Sequence, residues 1–245
     1  MVALTESVAS LADGPDVGVA FSGGLDSSLV ALLAAGALGK EHVRGYVVSV
    51  DSATHDLDAA RDSARLLGIG LQEVIVSEKE VEDACSELAE VIGTTDLFIL
   101  SFELPLWFVA RDASEREILL GQGADELFGG YSRYQRLAGK DLETELRNDA
   151  LSLLDVVERE ESIAKRFRKE FLYPYLDRGV MEIAMSLPLE EKVGPKGRKY
   201  ALQEAAIRAG MPEHLARKQK KAAQYGSGTW RALRQGRGAQ KRKEE

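Results

Sequence analysis

Cysteine is almost absent from this chain of 245 residues, Cys85 being the only one. A single thiol excludes an internal disulfide, a CxxC zinc site and a two-thiol redox centre, and makes a reducing, cytoplasmic compartment the expectation. Histidine is scarce as well, and His42, His55 and His214 lie too far apart to show metal-ligand spacing. Long hydrophobic runs are missing. The longest, Leu29 to Leu38, is ten residues around Gly36, too short to cross a bilayer, so no membrane partner is expected. The opening MVALTESVASLADG has no base before its apolar positions and does not read as a signal or transit peptide. Positive charge is also in deficit: the formal net charge of -8 argues against nucleic-acid binding through the whole surface.

What is present suits one compact domain, with or without a small subdomain: 44% of residues are hydrophobic and 29% charged. The charge is unevenly spread. Residues 192 to 245 hold 15 Lys or Arg against 4 Asp or Glu, net +11, which leaves -19 for residues 1 to 191. Such a basic quarter suits a phosphate-handling patch, a tRNA contact or a solvated tail, and its end, GRGAQKRKEE, has the composition of a mobile segment.

Apolar runs alternate with helix-period segments through the first half, the pattern of an α/β, doubly wound parallel sheet. Strands are expected at Val17 to Phe21, Gly45 to Val50, Glu73 to Ser77 and Ile118 to Gly121, with helices at Leu25 to Leu38 and Asp56 to Leu67. Val81, Cys85, Leu88 and Ile92 continue the helical period, with Cys85 on the apolar face, and Trp107 and Phe108 read as core. From about Lys140 the patterns are helical, at Leu142 to Val157, Gly179 to Met185 and Tyr200 to Ala209, with no strand expected. The expected division is therefore a core at 1–139, a helical C-terminal portion at 140–228 and a basic tail at 229–245.

The segment Ser22-Gly23-Gly24-Leu25-Asp26-Ser27-Ser28 stands between the first strand and its helix. Two glycines allow a tight turn that brings backbone amides against a ligand; the serine hydroxyls add donors, and the helix N-terminus adds partial positive charge. Together they read as an anion cradle. A carboxylate beside bound phosphates is repulsive unless a divalent cation lies between, so Asp26 reads as a Mg2+ ligand. The bland alternative, a glycine turn with a capping residue, suits a lone SGG better than this whole string. Neither GxxxxGK[ST] nor GxGxxG is present. Gly121-Gln122-Gly123-Ala124-Asp125-Glu126 repeats the arrangement after the strand at Ile118, putting a second carboxylate, Asp125, at the edge of the sheet where ligands of open α/β sheets bind.

With its SGGLDSS string, the chain resembles the N-type ATP pyrophosphatases, which have the adenine nucleotide alpha hydrolase-like fold. GQGADELFGGY narrows the resemblance to the synthetase domain of asparagine synthetases and β-lactam synthetases. That resemblance implies ATP and Mg2+, with Asp26 and Asp125 on the metal, and Ser49 and Val50 meeting adenine through the backbone. It also implies that Lys221, or its neighbour Lys220, acts on the phosphates. Arg159-Glu160-Glu161-Ser162 and Glu170-Phe171-Leu172-Tyr173-Pro174-Tyr175-Leu176-Asp177 are similar to two further family stretches, but Ser162 and Leu172 replace the second arginine of each. Glu170 falls on a carboxylate that assists acceptor activation in relatives, and reads equally as an exposed helix-end residue. Lys199-Tyr200-Ala201-Leu202 also matches the family and reads as packing. Val2 replaces the nucleophilic cysteine of a glutaminase domain, for which 245 residues leave no room. Ammonia is then expected to be free, to come from a separate amidotransferase subunit, or to be replaced by an amine. Gln122 takes the place of a family glutamate and cannot act as a general base.

The expected reaction is AMP- and pyrophosphate-forming activation of a small-molecule carboxylate or amide oxygen, in a carbon-nitrogen ligase. The alternatives are a tRNA-modifying ATP pyrophosphatase and a noncatalytic nucleotide-binding subunit.

Overall fold

The computed structural model describes residues 1–50, 55–218 and 226–234. In chain order the first half holds α1 (Val2–Leu11), β1 (Val17–Ala20), α2 (Leu25–Leu38), β2 (Val43–Val50), α3 (His55–Leu67), β3 (Gly70–Val76), α4 (Glu78–Ile92), α5 (Leu97–Asp112), β4 (Glu117–Leu119) and α6 (Ala124–Phe128). There follow α7 (Gly139–Arg166), β5 (Glu170–Leu172), α8 (Arg178–Ser186), α9 (Leu189–Lys192), β6 (Val193–Gly194), β7 (Gly197–Arg198), α10 (Tyr200–Arg208) and α11 (Glu213–Ala216).

Five strands form one parallel sheet in the order β3-β2-β1-β4-β5. The period-two pattern of β2 sends Val43 and Val47 into one core, with Leu29, Val30 and Leu57 from α2 and α3, and Tyr46, Val48 and Val50 into the other, with Leu88, Leu104 and Ile163 from α4, α5 and α7. Burying a side chain such as Leu29, fully shielded here, contributes roughly 1.5–3 kcal/mol. This is the doubly wound α/β architecture expected. Trp107 and Phe108 are core, and Cys85 packs partly buried against the same core.

Two expectations are corrected. The third strand starts at Gly70, not Glu73, because its first residues pair with Arg44 and Gly45 although they are half exposed and carry no apolar alternation. A strand does occur beyond residue 140: β5 pairs with β4, Ile118 opposite Phe171, so the sheet is not confined to residues 1–139. Three residues are too few to show a period. Among the described residues no single helix is long and apolar enough to cross a membrane.

The strand order reverses between β1 and β4. The loops that leave their carboxyl ends therefore stand side by side, which is where open α/β sheets make their ligand crevice.

Candidate functional site

The loop after β1 is shaped by its glycines. Phe21 still donates its amide to the Tyr46 carbonyl at 2.8 Å, and then the chain turns out of the sheet. Gly23 adopts φ +69°, and a Cβ there would lie 2.4 Å from the Ala59 carbonyl oxygen, so only glycine fits. Gly24 caps α2 with no side chain over the first turn, which leaves amides of a 14-residue helix to face an anion. The Ser27 hydroxyl folds back over the loop, 3.1 Å from the Ser22 hydroxyl, and accepts from the Ser22 amide at 3.3 Å.

Gly121 of the second loop is pressed against this turn: a Cβ on it would lie 3.2 Å from both the Asp26 Cβ and the Ser27 nitrogen. Gly123 takes φ +89° at the start of α6, which carries Asp125. Between the loops opens a cavity of about 630 Å³, a size typical of small-molecule sites. Ser22, Leu25, Asp26 and Ser27 line it on one side; Gly121, Gln122, Gly123 and Asp125 line it on the other.

A third element closes the arrangement. The β6–β7 hairpin presents Lys199, whose ammonium lies 2.6 and 2.7 Å from the two Asp26 oxygens and 2.7 Å from Asp125 Oδ1. Lys199 holds φ 56°, a strained left-handed conformation for a residue with a side chain, and its amide donates to the Lys192 carbonyl at 2.7 Å. Burial works against the charged amine, but the charges of Asp26 and Asp125 outweigh it and raise the Lys199 pKa above its usual value. Gly130 makes room for the cluster, since a Cβ on it would fall 1.6 Å from Asp125 Oδ1 and 2.2 Å from Lys199 Cε. Tyr175, fully buried, donates its hydroxyl to the Asp26 carbonyl at 3.2 Å and holds the loop from behind.

Asp26 and Asp125 thus converge on one point, as their sequence positions suggested. Lys199, expected to be packing, is corrected to a member of the site; the signals for it were the excess of base in residues 192–245 and its position just before a helix. Gly23, Gly24 and Ser28 shape the loop from behind the cavity wall: Ser63 donates to the Gly23 carbonyl at 3.0 Å, and the Ser28 hydroxyl is buried with no partner among the described residues. The cavity reaches Tyr46, Val47 and Val48 of β2 but not Ser49 or Val50, both fully buried, and the Val50 amide donates to the Ser227 carbonyl at 2.8 Å. Glu170 is not brought to the site. It opens β5 at the opposite end of the sheet from the two loops, exposed and 3.4 Å from Arg116 Nη2, because the expected helix end is a strand. Lys220 and Lys221 lie outside the described residues, as do residues 235–245 of the expected tail.

A sequence model of the family described as asparagine synthase matches residues 2–171 and, in an overlapping match, 140–244. A putative glutamine-hydrolysing asparagine synthetase 1 from Methanocaldococcus jannaschii is 33% identical over 92% of this chain and 48% of its own length. Glutamine-hydrolysing asparagine synthetase 1 of Arabidopsis thaliana is 30% identical over 86% of this chain and 39% of its own length. The chain therefore spans about half, or less, of these relatives. Among solved structures, one described as a predicted subunit of tRNA methyltransferase from Methanocaldococcus jannaschii aligns over 84% of this chain and 94% of its own, with a TM-score of 0.39 and 17% identity.

Proposed function

The chain belongs to the asparagine synthase family, and on that premise we propose that it is an ATP-dependent, AMP- and pyrophosphate-forming synthetase. A carboxylate or amide oxygen of a small substrate attacks the α phosphate, the bond to the bridging oxygen breaks, and pyrophosphate leaves with the electron pair. Ammonia, free or from a separate amidotransferase subunit, or an amine then displaces AMP. The observation that carries this reading is the meeting of Asp26, Asp125 and Lys199 between two glycine loops at the strand-order reversal.

The amides at the start of α2, with the Ser22 and Ser27 hydroxyls, take the phosphate oxygens. Asp26 and Asp125 are hard oxygen donors gathered at one point, which fits Mg2+, and they would be the residues to hold it. Bound there, the ion supplies positive charge to the phosphate chain. Lys199, kept protonated by both carboxylates, offsets charge that builds on the departing pyrophosphate, with Lys220 and Lys221 as further candidates from the sequence. Gln122 lines the cavity as a hydrogen-bonding group and not as a base.

Product analysis tests the reaction. AMP and pyrophosphate must form in equal amounts with substrate consumed; ADP and phosphate as stoichiometric products refute it. A second reading, adenylation of a nucleic-acid base, is favoured by the net +11 of residues 192–245. It requires salt-dependent tRNA binding that is lost on deleting residues 235–245, and no binding at low salt removes it. Pyrophosphate exchange into ATP that stays flat over amino acids and tRNA alike points to a noncatalytic nucleotide-binding subunit.

A further inference from the structure

Asp26 and Asp125 do not face each other bare. The Lys199 ammonium stands 2.6 and 2.7 Å from the two Asp26 oxygens and 2.7 Å from Asp125 Oδ1, so the two carboxylates already share a cation of the chain's own. Their surroundings add further negative charge. Glu126 lines the same cavity, and its far wall, built by α5 and α7, adds Glu103 and Glu160, 1% and 3% exposed.

Backbone contacts on both sides deliver the lysine to this place. In the β6–β7 hairpin Val193 pairs with Arg198 and Gly194 with Gly197; Arg198 Nη1 donates to the Gly130 carbonyl, and the Lys199 amide donates to the Lys192 carbonyl at 2.7 Å. The side chain has more freedom than the Cα that carries it. Its stem crosses Gly130, which has no Cβ to block it, and it lines the open cavity, so rotation about the stem can swing the ammonium while φ stays at 56°.

Charge and ligand number decide when the ammonium can leave. Two carboxylates and one ammonium sum to -1, and a divalent ion added to that group alone meets a like charge at the same oxygens. It is also short of ligands. Mg2+ takes about six oxygens, and among the described residues no group of three or more His, Cys, Asp or Glu is placed to hold a metal ion. A triphosphate removes both obstacles, because its oxygens add ligands for the ion and its charge gives the displaced ammonium a new partner.

We propose that Lys199 and the divalent cation compete for Asp26 and Asp125, so that the free chain disfavours the ion and accepts it together with a nucleotide's phosphate chain. Lys199 is then a built-in counter-ion that keeps metal from settling on the two carboxylates ahead of ATP. The inference rests on the metal-nucleotide site of the synthetase reading, but the competition is measured without turnover.

Binding of Mn2+, which takes oxygen ligands as Mg2+ does, to the full chain tests the exchange, with free ion counted by electron paramagnetic resonance in the absence and presence of α,β-methylene-ATP. Without nucleotide, Lys199→Met is expected to bind Mn2+ at least about tenfold more tightly than wild type; the analogue is expected to raise wild-type affinity by at least about tenfold and that of the variant less. Equal affinities without nucleotide overturn the proposal. So does a tight site that survives when Asp125→Asn is added to Lys199→Met, since the ion is then held elsewhere. Lys199→Gln is the second variant should the first not fold, and the same comparisons decide it. The two readings fail separately. A Mn2+ site gained in Lys199→Met, with no AMP formed by wild type on any substrate, removes the synthetase and keeps the exchange; AMP formed by wild type, with equal Mn2+ affinities in the two proteins, does the reverse.

Discussion

Lys199 and Asp26, 173 positions apart in the chain, are joined by two short contacts, the lysine ammonium lying 2.6 and 2.7 Å from the carboxylate oxygens. Asp125 receives the same ammonium from the other loop. Without Lys199, two carboxylates would face each other across a half-buried gap. The lysine therefore holds the loop after β1 and the second glycine loop together, at the place where the proposed metal-nucleotide would also join them.

Replacing that ammonium gives the first prediction. Lys199→Met leaves the two carboxylates unneutralised and is expected to destabilise the fold by about 2–4 kcal/mol, toward the lower end because Asp125 is 42% exposed and water screens it. Mg2+ should recover part of the loss in melting temperature in the variant and raise the wild type less. Melting curves with and without Mg2+ decide it; an unaltered melting temperature in Lys199→Met contradicts the role.

The carboxylates proposed to hold Mg2+ give the second. Asp125→Asn keeps the shape of the side chain and removes its charge. Magnesium-dependent AMP formation should fall by about 100-fold or more, with the circular dichroism spectrum unchanged. Activity within a few-fold of wild type would remove Asp125 from the site.

Serine positions within the first loop separate binding from packing. The Ser28 hydroxyl is fully buried without a partner among the described residues, so Ser28→Ala should change stability by at most about 1 kcal/mol and leave ATP affinity within about twofold. Ser27 lines the cavity, and Ser27→Ala should weaken ATP about 5- to 10-fold. Fluorescent-nucleotide displacement distinguishes the two, and equal losses at both positions would refute the assignment.

Glu103 predicts a pH dependence of stability. Burial pushes its carboxyl up to about 7, with the neighbouring Arg159 opposing the shift; Glu160, whose carboxyl is also raised by burial, and Tyr173 lie in the same group. The folded state then binds more protons than the unfolded state between about pH 4.5 and 7. Stability from this group is fully present below the lower value and is lost as pH rises through the upper one, by roughly 1–3 kcal/mol. Glu103→Gln should flatten that slope and be more stable than wild type at pH 8. Denaturant melts across the range measure it, and a wild-type slope retained in the variant contradicts the assignment.

Gly130 carries the last prediction. Gly130→Ala would place a methyl against Asp125 and Lys199, forcing the ion group apart, and should cost about 1–3 kcal/mol with a matching loss of nucleotide affinity. A fully stable Gly130→Ala protein that still binds ATP normally would mean that the close packing around Lys199 is not required.

The two glycine loops were legible because each is local: an apolar strand, two glycines and a carboxylate within about ten positions. Glu170 was misplaced for the opposite reason. Its segment, Glu170–Leu172, is a strand three residues long whose hydrogen-bonded neighbour in the sheet is β4, some fifty positions earlier. Glu103 and Glu160 belong to two helices whose own patterns say only that one face is apolar. That both glutamates enter the same cavity follows from how α5 and α7 lie on the sheet.

The amino-acid sequence by itself determined the α/β class, the glycine turns after β1 and β4 and the family, because these depend on spacing within short segments. Tertiary structure alone decided that Lys199 stands between Asp26 and Asp125, and that the far wall is acidic. The physical reason is that residues 26, 125 and 199 meet only once strand order β3-β2-β1-β4-β5 places their loops at one edge, and electrostatic partnership across such distances leaves no local pattern in the chain.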